Sequence, residues 1–174
     1  MPFLSSHARR RKITYFLKPI PKAAHILEIG SGDGWVGDFL RTNGWRHYVS
    51  LDLVPPADVV GDIREWHALG LAPASFDAII AFEIVEHVDC FQSCYELLKD
   101  QGKLLVTTPV PHMDWFLRTL EYVGLNQRRT SPHNHLVDLH SVDWFEEKDI
   151  RIVAGLSQWG ILTKSIALRK RRGV

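Results

Sequence analysis

Glu28-Ile29-Gly30-Ser31-Gly32-Asp33-Gly34 decides the fold. It closes the short apolar run from His25 to Ile29, which reads as a buried strand ending at Gly30. Glycines at three alternate positions make a bend whose backbone a ligand can approach where any Cβ would collide. The bend feeds a helical stretch from Trp35 to Leu40, closed by Asn43-Gly44. Strand, bare bend and helix in that order belong to open α/β sheets, which bind ligands at the carboxyl ends of their strands.

Outward from the bend the pattern repeats. His47 to Leu53 reads as a second strand ending at Asp52, about 20 residues on, where a carboxylate reaches the hydroxyls of an adenosine ribose. Val59-Val60 is a brief third strand, followed by Asp62-Ile63. Phe76 to Phe82 is a fourth, with almost no polar interruption, as expected of a sheet covered on both faces. Asp89 to Leu98 reads as a helix, and Gly102 to Thr108 as a fifth strand stopped by Pro109. Strands and helices alternate over 25–108, which predicts a doubly wound, mostly parallel α/β sheet of about seven strands.

The flanks are less regular. Residues 5–18 read as a helix capped by Ser5 or Ser6 and ended before Pro19. Met113 to Val123 reads as a helix and Asn126 to Ser141 as a polar loop. Residues 143–148 read as a helical turn, and Ile150–Ala154 and Gly160–Leu168 as two closing strands. Trp115, Phe116, Leu117 and Leu120 suit core or an acceptor-side lid, and His112 lies at the expected mouth of the site.

Of 174 residues, 45% are hydrophobic and 10% aromatic, which excludes a disordered chain and predicts one domain with its own core. Two cysteines exclude a disulfide scaffold; Cys90 and Cys94, four apart, read as buried thiols. No apolar run approaches the roughly 18 residues of a membrane helix, and MPFLSSHARRRK lacks a secretory apolar region, so a cytoplasmic location is expected. Net charge is +1, unevenly spread. All 20 acids lie between Glu28 and Asp149, while Arg9-Arg10-Arg11-Lys12 and Arg169-Lys170-Arg171-Arg172 mark the ends. Such clusters either hold anionic partners such as RNA or are simply solvated. The expected organisation is a single domain over 1–174. A helix and basic segment occupy 1–20, a cofactor-binding half 24–108, and an acceptor-side half with the basic tail 109–174.

The bend itself separates two nucleotide chemistries. A dinucleotide site wants G-x-G-x-x-G with the pyrophosphate on the helix N-terminus. Here the spacing is G-x-G-x-G, and the carboxylate of Glu28 would repel a pyrophosphate but suits a cationic ligand. With EIGSGDG, Asp52, Asp62-Ile63 and Gly102-Lys103-Leu104-Leu105-Val106 in order, the chain resembles the class I methyltransferases that use S-adenosylmethionine. The likeness covers roughly residues 24–108. It implies a Rossmann-like fold and these roles: Gly30, Ser31 and Gly32 would hold the methionine moiety with Glu28 near its ammonium. Asp52 would bind the ribose hydroxyls, and Leu53 would flank the adenine. Asp62 would accept from the adenine amino group with Ile63 beside it, and Phe82 would close the pocket.

Acceptor chemistry points to Glu83-Ile84-Val85-Glu86-His87 after the fourth strand. On a helical turn Glu83, Glu86 and His87 would share one face, a donor set that suits Mg²⁺ or Mn²⁺. The E-x-x-E-H string resembles those of ubiquinone-pathway O-methyltransferases and small-RNA 2′-O-methyltransferases. In the latter a further histidine completes a Mg²⁺ site; His133, His135 and His140 lie in that region, and His135 is the candidate taken here. The alternatives are a metal-free general base at His87 or His135, with Glu86 a further catalytic candidate, and a polar helix start at Glu86 and His87 that makes only surface hydrogen bonds. No N-P-P-Y or Pro-Cys follows the fourth strand, which argues against amino- and cytosine-C5-methylating DNA enzymes. The expected function is O-methylation of a small-molecule acceptor. The rivals are an RNA 2′-O-methyltransferase, a cofactor-binding protein without catalysis, and an NAD-type dehydrogenase.

Overall fold

A computed structural model describes residues 3–110, 137–145 and 147–165. The expected helix 113–123, the loop 126–136, His112, His133, His135 and the tail cluster 169–172 lie outside them. In chain order the elements are helix α1 (Phe3–Lys12) continued by a π-helical turn (Ile13–Leu17), strand β1 (Ile26–Ile29), helix α2 (Trp35–Thr42), β2 (Tyr48–Asp52) and β3 (Val59–Val60). A 3₁₀ turn (Ile63–Glu65), β4 (Phe76–Phe82), α3 (Phe91–Leu97), β5 (Leu98–Pro109), a second 3₁₀ turn (Leu139–Ser141), β6 (Glu147–Val153) and β7 (Ser157–Thr163) follow.

The seven strands form one sheet in the order β3-β2-β1-β4-β5-β7-β6. The first five run parallel, and β7 lies antiparallel between β5 and β6. The doubly wound, mostly parallel sheet expected from the alternation is therefore the observed one. Order reverses between β1 and β4, and the crevice at that switch point is where such sheets take ligands.

Alternate residues of each strand feed two cores, as the two-residue period requires. Leu27, Ile29, Ile79, Ala81, Leu104 and Val106 face α3 residues Phe91, Cys94 and Leu97. Ile26, Ala78, Ile80 and Leu105 face Phe16 and Leu17 of the π turn and Val36 and Leu40 of α2. Cys90 and Cys94 are buried free thiols. Among the described residues no helix is long and apolar enough to cross a membrane.

Two local expectations are corrected. The first helix begins at Phe3, so Ser5 and Ser6 lie inside it rather than capping it, and it ends before Pro19 with a widened turn. Residues 143–148 do not form a helical turn: β6 begins at Glu147 and β7 at Ser157, about three residues earlier than the pattern suggested. The hairpin register explains the shift. Pairing of Val153 with Ser157 leaves a three-residue turn of Ala154, Gly155 and Leu156, with positive φ at the first two (53° and 68°).

Candidate functional site

The glycine bend sits at the carboxyl end of β1 with φ of +72°, +49° and +75° at Gly30, Gly32 and Gly34. These angles explain why glycine stands there. The three differ in what surrounds them. A Cβ on Gly30 would meet the Ile84 side chain at 2.9 Å, so the turn after β4 packs directly on the bend. A Cβ on Gly32 or Gly34 would meet nothing within 4 Å. That stretch of bare backbone borders open space, as a cradle for a ligand requires.

Asp52 closes one side of the cradle. Its Oδ2 accepts from the Gly32 amide at 2.9 Å, tying the end of β2 to the bend across 20 residues. Leu53 and Val54 follow, 69% and 61% exposed, an apolar shelf beside the carboxylate. Asp62 caps the 3₁₀ turn through the Arg64 amide at 2.9 Å, and both its oxygens bond the Arg64 guanidinium. That pairing holds its carboxyl below the usual range. Ile63 is only 2% exposed and its side chain belongs to the core.

Glu28 lies lower than expected. It is 4% exposed, paired in register with Ser50, and its Oε2 accepts from the Tyr48 hydroxyl. Burial raises its pKa to about 8, opposed by the Tyr48 hydrogen bond and reinforced by Asp33 and Asp52. The carboxyl is therefore mostly protonated at pH 7. Ser31 is buried within the bend, its carbonyl accepting from the Gly34 amide at 2.8 Å.

The segment after β4 is a turn, not a helix. Glu83 has φ 55°, and the amides of His87 and Val88 both reach the Ile84 carbonyl, at 2.9 and 3.2 Å. The three expected metal ligands consequently do not share a face. Glu83 Oε1 accepts from Thr107 Oγ1 at 2.8 Å, and Glu86 Oε2 from Thr108 Oγ1 at 3.2 Å. Thr107 and Thr108 are consecutive on β5 and point to opposite faces of the sheet. Among the described residues no three His, Cys, Asp or Glu side chains are grouped so as to hold a metal. Glu83, Glu86 and His87 as arranged do not group to hold Mg²⁺ or Mn²⁺, and His135, the fourth residue of the expected set, lies outside the described residues.

Glu86 instead lines a cavity of about 470 Å³ with His87, between this turn and residues 137–144. It is 2% exposed, and burial raises its pKa to about 7, with Glu83 adding to the rise and Thr108 opposing it. A buried carboxyl titrating near neutrality is suited to take a proton from a hydroxyl. The same turn thus touches the bend through Ile84 and the cavity through Glu86.

Arg9 and Lys12 of α1 are functional-site neighbours that sequence reading missed. Arg9 pairs with Asp33 of the bend at 2.5 Å and lies 5.3 Å over the Trp35 ring. Lys12 pairs with Glu83 at 2.9 Å and lies 5.0 Å over Phe82, which stacks on Trp35 at 6.2 Å. Their i, i+3 spacing was the available signal, since it puts both on one face of the helix.

Comparison with known proteins agrees with this geometry. A family model described as "Methyltransferase domain" matches residues 5–150. The chain is 29% identical over 116 residues to a ubiquinone biosynthesis O-methyltransferase of Xylella fastidiosa (strain 9a5c). That match covers 56% of this chain and 47% of the relative, so the chain spans about half the length of the curated relatives it matches. In fold it is similar to a protein of Pyrococcus horikoshii OT3, with a TM-score of 0.69, 16% identity and 92% of each chain covered. A SAM dependent methyltransferase from Archaeoglobus fulgidus gives a TM-score of 0.59 at 17% identity over 92% of this chain and 93% of that one. The chain belongs to the methyltransferase-domain family, with the Rossmann-like architecture of the class I S-adenosylmethionine-dependent enzymes.

Proposed function

We propose that this methyltransferase moves a methyl group from S-adenosylmethionine to a hydroxyl of a small molecule. One observation carries the reading: a bare, open glycine bend tied to Asp52 shares the turn after β4 with a cavity containing a buried carboxyl of near-neutral pKa. The O-methyltransferase relative supports the hydroxyl as acceptor.

Bound S-adenosylmethionine supplies an already activated sulfonium methyl, which leaves to the acceptor oxygen as the carbon–sulfur bond breaks. The chain's own work is to bind, align and deprotonate. The backbone of Gly30, Ser31 and Gly32 holds the amino-acid end, Asp52 the ribose, and Leu53 the purine face. Asp62 reaches the purine amino group by sharing its carboxylate with Arg64. Glu28 supports the bend from beneath through Tyr48, and Phe82 closes the floor with Trp35. In the cavity Glu86 accepts the acceptor's proton, with His87 beside it; His135 is a further candidate from the acceptor-side half. Residues 24–108 form the donor half of one domain and 109–174 the acceptor half.

The test supplies the purified protein with S-adenosylmethionine and small hydroxyl compounds, with a short RNA in parallel. S-adenosylhomocysteine formed with a small hydroxyl compound, and a mass gain of one methyl on its oxygen, is the expected result. Methyl transfer to the RNA alone, or to nitrogen or carbon of every acceptor, would overturn the assignment.

A further inference from the structure

We propose that Tyr48 is a positioning residue for the methyl donor: from a gap that Gly37 leaves in α2, its hydroxyl holds the Glu28 carboxyl beneath the bend as the counter-charge to the donor's ammonium. Donor binding then draws the proton off Glu28. This rests on the reading of the bend as the donor site. Tyr48 is buried at the start of β2, with its ring against α2. A Cβ on Gly37 would meet the Tyr48 hydroxyl oxygen at 2.8 Å and a ring carbon at 2.9 Å. Glycine disfavours a helix interior, and the phenol it seats explains its place there. The hydroxyl donates to Glu28 Oε2, while Oε1 has no hydrogen-bond partner among the described residues.

The other groups facing Glu28 leave it a carboxyl suited to a cationic ligand. Asp33 of the bend and Asp52 at the end of β2 add charge of the same sign, and Asp33 is itself paired with Arg9. On the β4 side Glu28 stands in register with apolar Ile80. Arg41 of α2 is the one cation acting on it, and it is engaged elsewhere. It lies 4.9 Å over the Tyr48 ring and donates to both oxygens of Asp58, at 3.0 and 2.7 Å. Asp58 in turn accepts from the amide and hydroxyl of Ser50, the register partner of Glu28. A hydroxyl favours the ionised carboxyl without cancelling its charge, as an arginine or lysine in its place would. Without ligand, burial keeps Glu28 mostly protonated. An ammonium arriving in the bend favours the carboxylate, and the proton passes to water.

Titration calorimetry with S-adenosylhomocysteine from pH 6 to 8, repeated in buffers of different ionisation enthalpy, reads both affinity and proton release. The second ligand is 5′-methylthioadenosine, which keeps the nucleoside and lacks the ammonium. Wild type should release protons on binding S-adenosylhomocysteine, with affinity rising about tenfold across this range, since the proton is easier to lose at higher pH. Methylthioadenosine, bound with constant affinity or too weakly to measure, should show neither effect. Tyr48→Phe removes only the hydroxyl. It should bind S-adenosylhomocysteine roughly 3- to 10-fold more weakly at pH 7, the worth of one hydrogen bond, with the rise displaced to higher pH. Gly37→Ala, a better helix residue, displaces the phenol and should shift the profile the same way. Wild-type binding without proton release or without a pH rise, the same rise with methylthioadenosine, or an unshifted profile in either variant would overturn the role of Tyr48. S-adenosylhomocysteine bound in those cases leaves the donor site standing; no binding of it by wild type at any pH overturns both.

Discussion

Lys12 Nζ donates to Glu83 Oε1 at 2.9 Å, joining residues 71 positions apart and strapping α1 across the end of β4. The same carboxylate oxygen accepts from Thr107 on β5, and the ammonium lies over the Phe82 ring. Partly exposed pairs of this kind contribute about 0.5–1 kcal/mol, with a similar amount from the ring contact. Lys12→Met should therefore cost roughly 1 kcal/mol and raise amide exchange in α1 while β1 and β4 stay protected. Unchanged exchange across α1 would show that the strap is carried by other contacts.

Glu28 makes stability depend on pH. Its folded pKa, about 8, is raised above the ordinary carboxylate value by burial. The sign follows from linkage: its contribution is fully present below the unfolded pKa and is lost as pH rises through 8. Glu28→Gln keeps an acceptor for Tyr48 and removes the titration. Thermal melts should show wild type and variant alike near pH 5, with the variant more stable by roughly 1–3 kcal/mol at pH 9, given about 1.4 kcal/mol per pKa unit. A variant less stable than wild type at pH 9 would contradict a buried, mostly neutral carboxyl.

Glu86 should set the pH dependence of catalysis. Burial raises its pKa to about 7, so the fraction able to accept a proton grows through neutrality. We expect kcat/KM to rise with a midpoint near 7 and to level off above it. Glu86→Gln should lower it by about 10²–10⁴-fold, the usual share of general base catalysis, and remove that midpoint. A variant keeping the wild-type profile would move the role to another group, His87 first.

Much of this was legible in the sequence because it is locally encoded. Apolar runs ending at Gly30, Asp52 and Phe82 mark the strand tips, and β3 and β4 begin and end where the pattern puts them. Where nonlocal contacts decide, reading failed. Glu83 takes a left-handed φ of 55° that nothing in FEIVEH announces, since glutamate favours helix. The turn is set by Ile84 packing on Gly30 and by Thr107 and Thr108 gripping the two glutamates on opposite faces. The Arg9–Lys12 cluster reads as a solvated run. Arg10 and Arg11 are indeed exposed, while Arg9 and Lys12 find Asp33 and Glu83, 24 and 71 residues away. β5 starts at Leu98 rather than Gly102 because a register shift between Phe76 and Ala78 lets the strand begin before Gln101, itself at φ 64°.

Titration calorimetry with S-adenosylhomocysteine, on wild type and on Asp52→Ala, tests most directly whether the bend holds the donor. Asp52 touches the bend through the Gly32 amide and stands beside the exposed Leu53. We expect one site per chain, with affinity lowered by about 1–3 kcal/mol in the variant, or roughly 5- to 150-fold, as loss of a charged hydrogen-bonding group predicts. Absence of heat with wild type, or equal affinity in both proteins, would contradict a donor site at Gly30–Gly34 and Asp52.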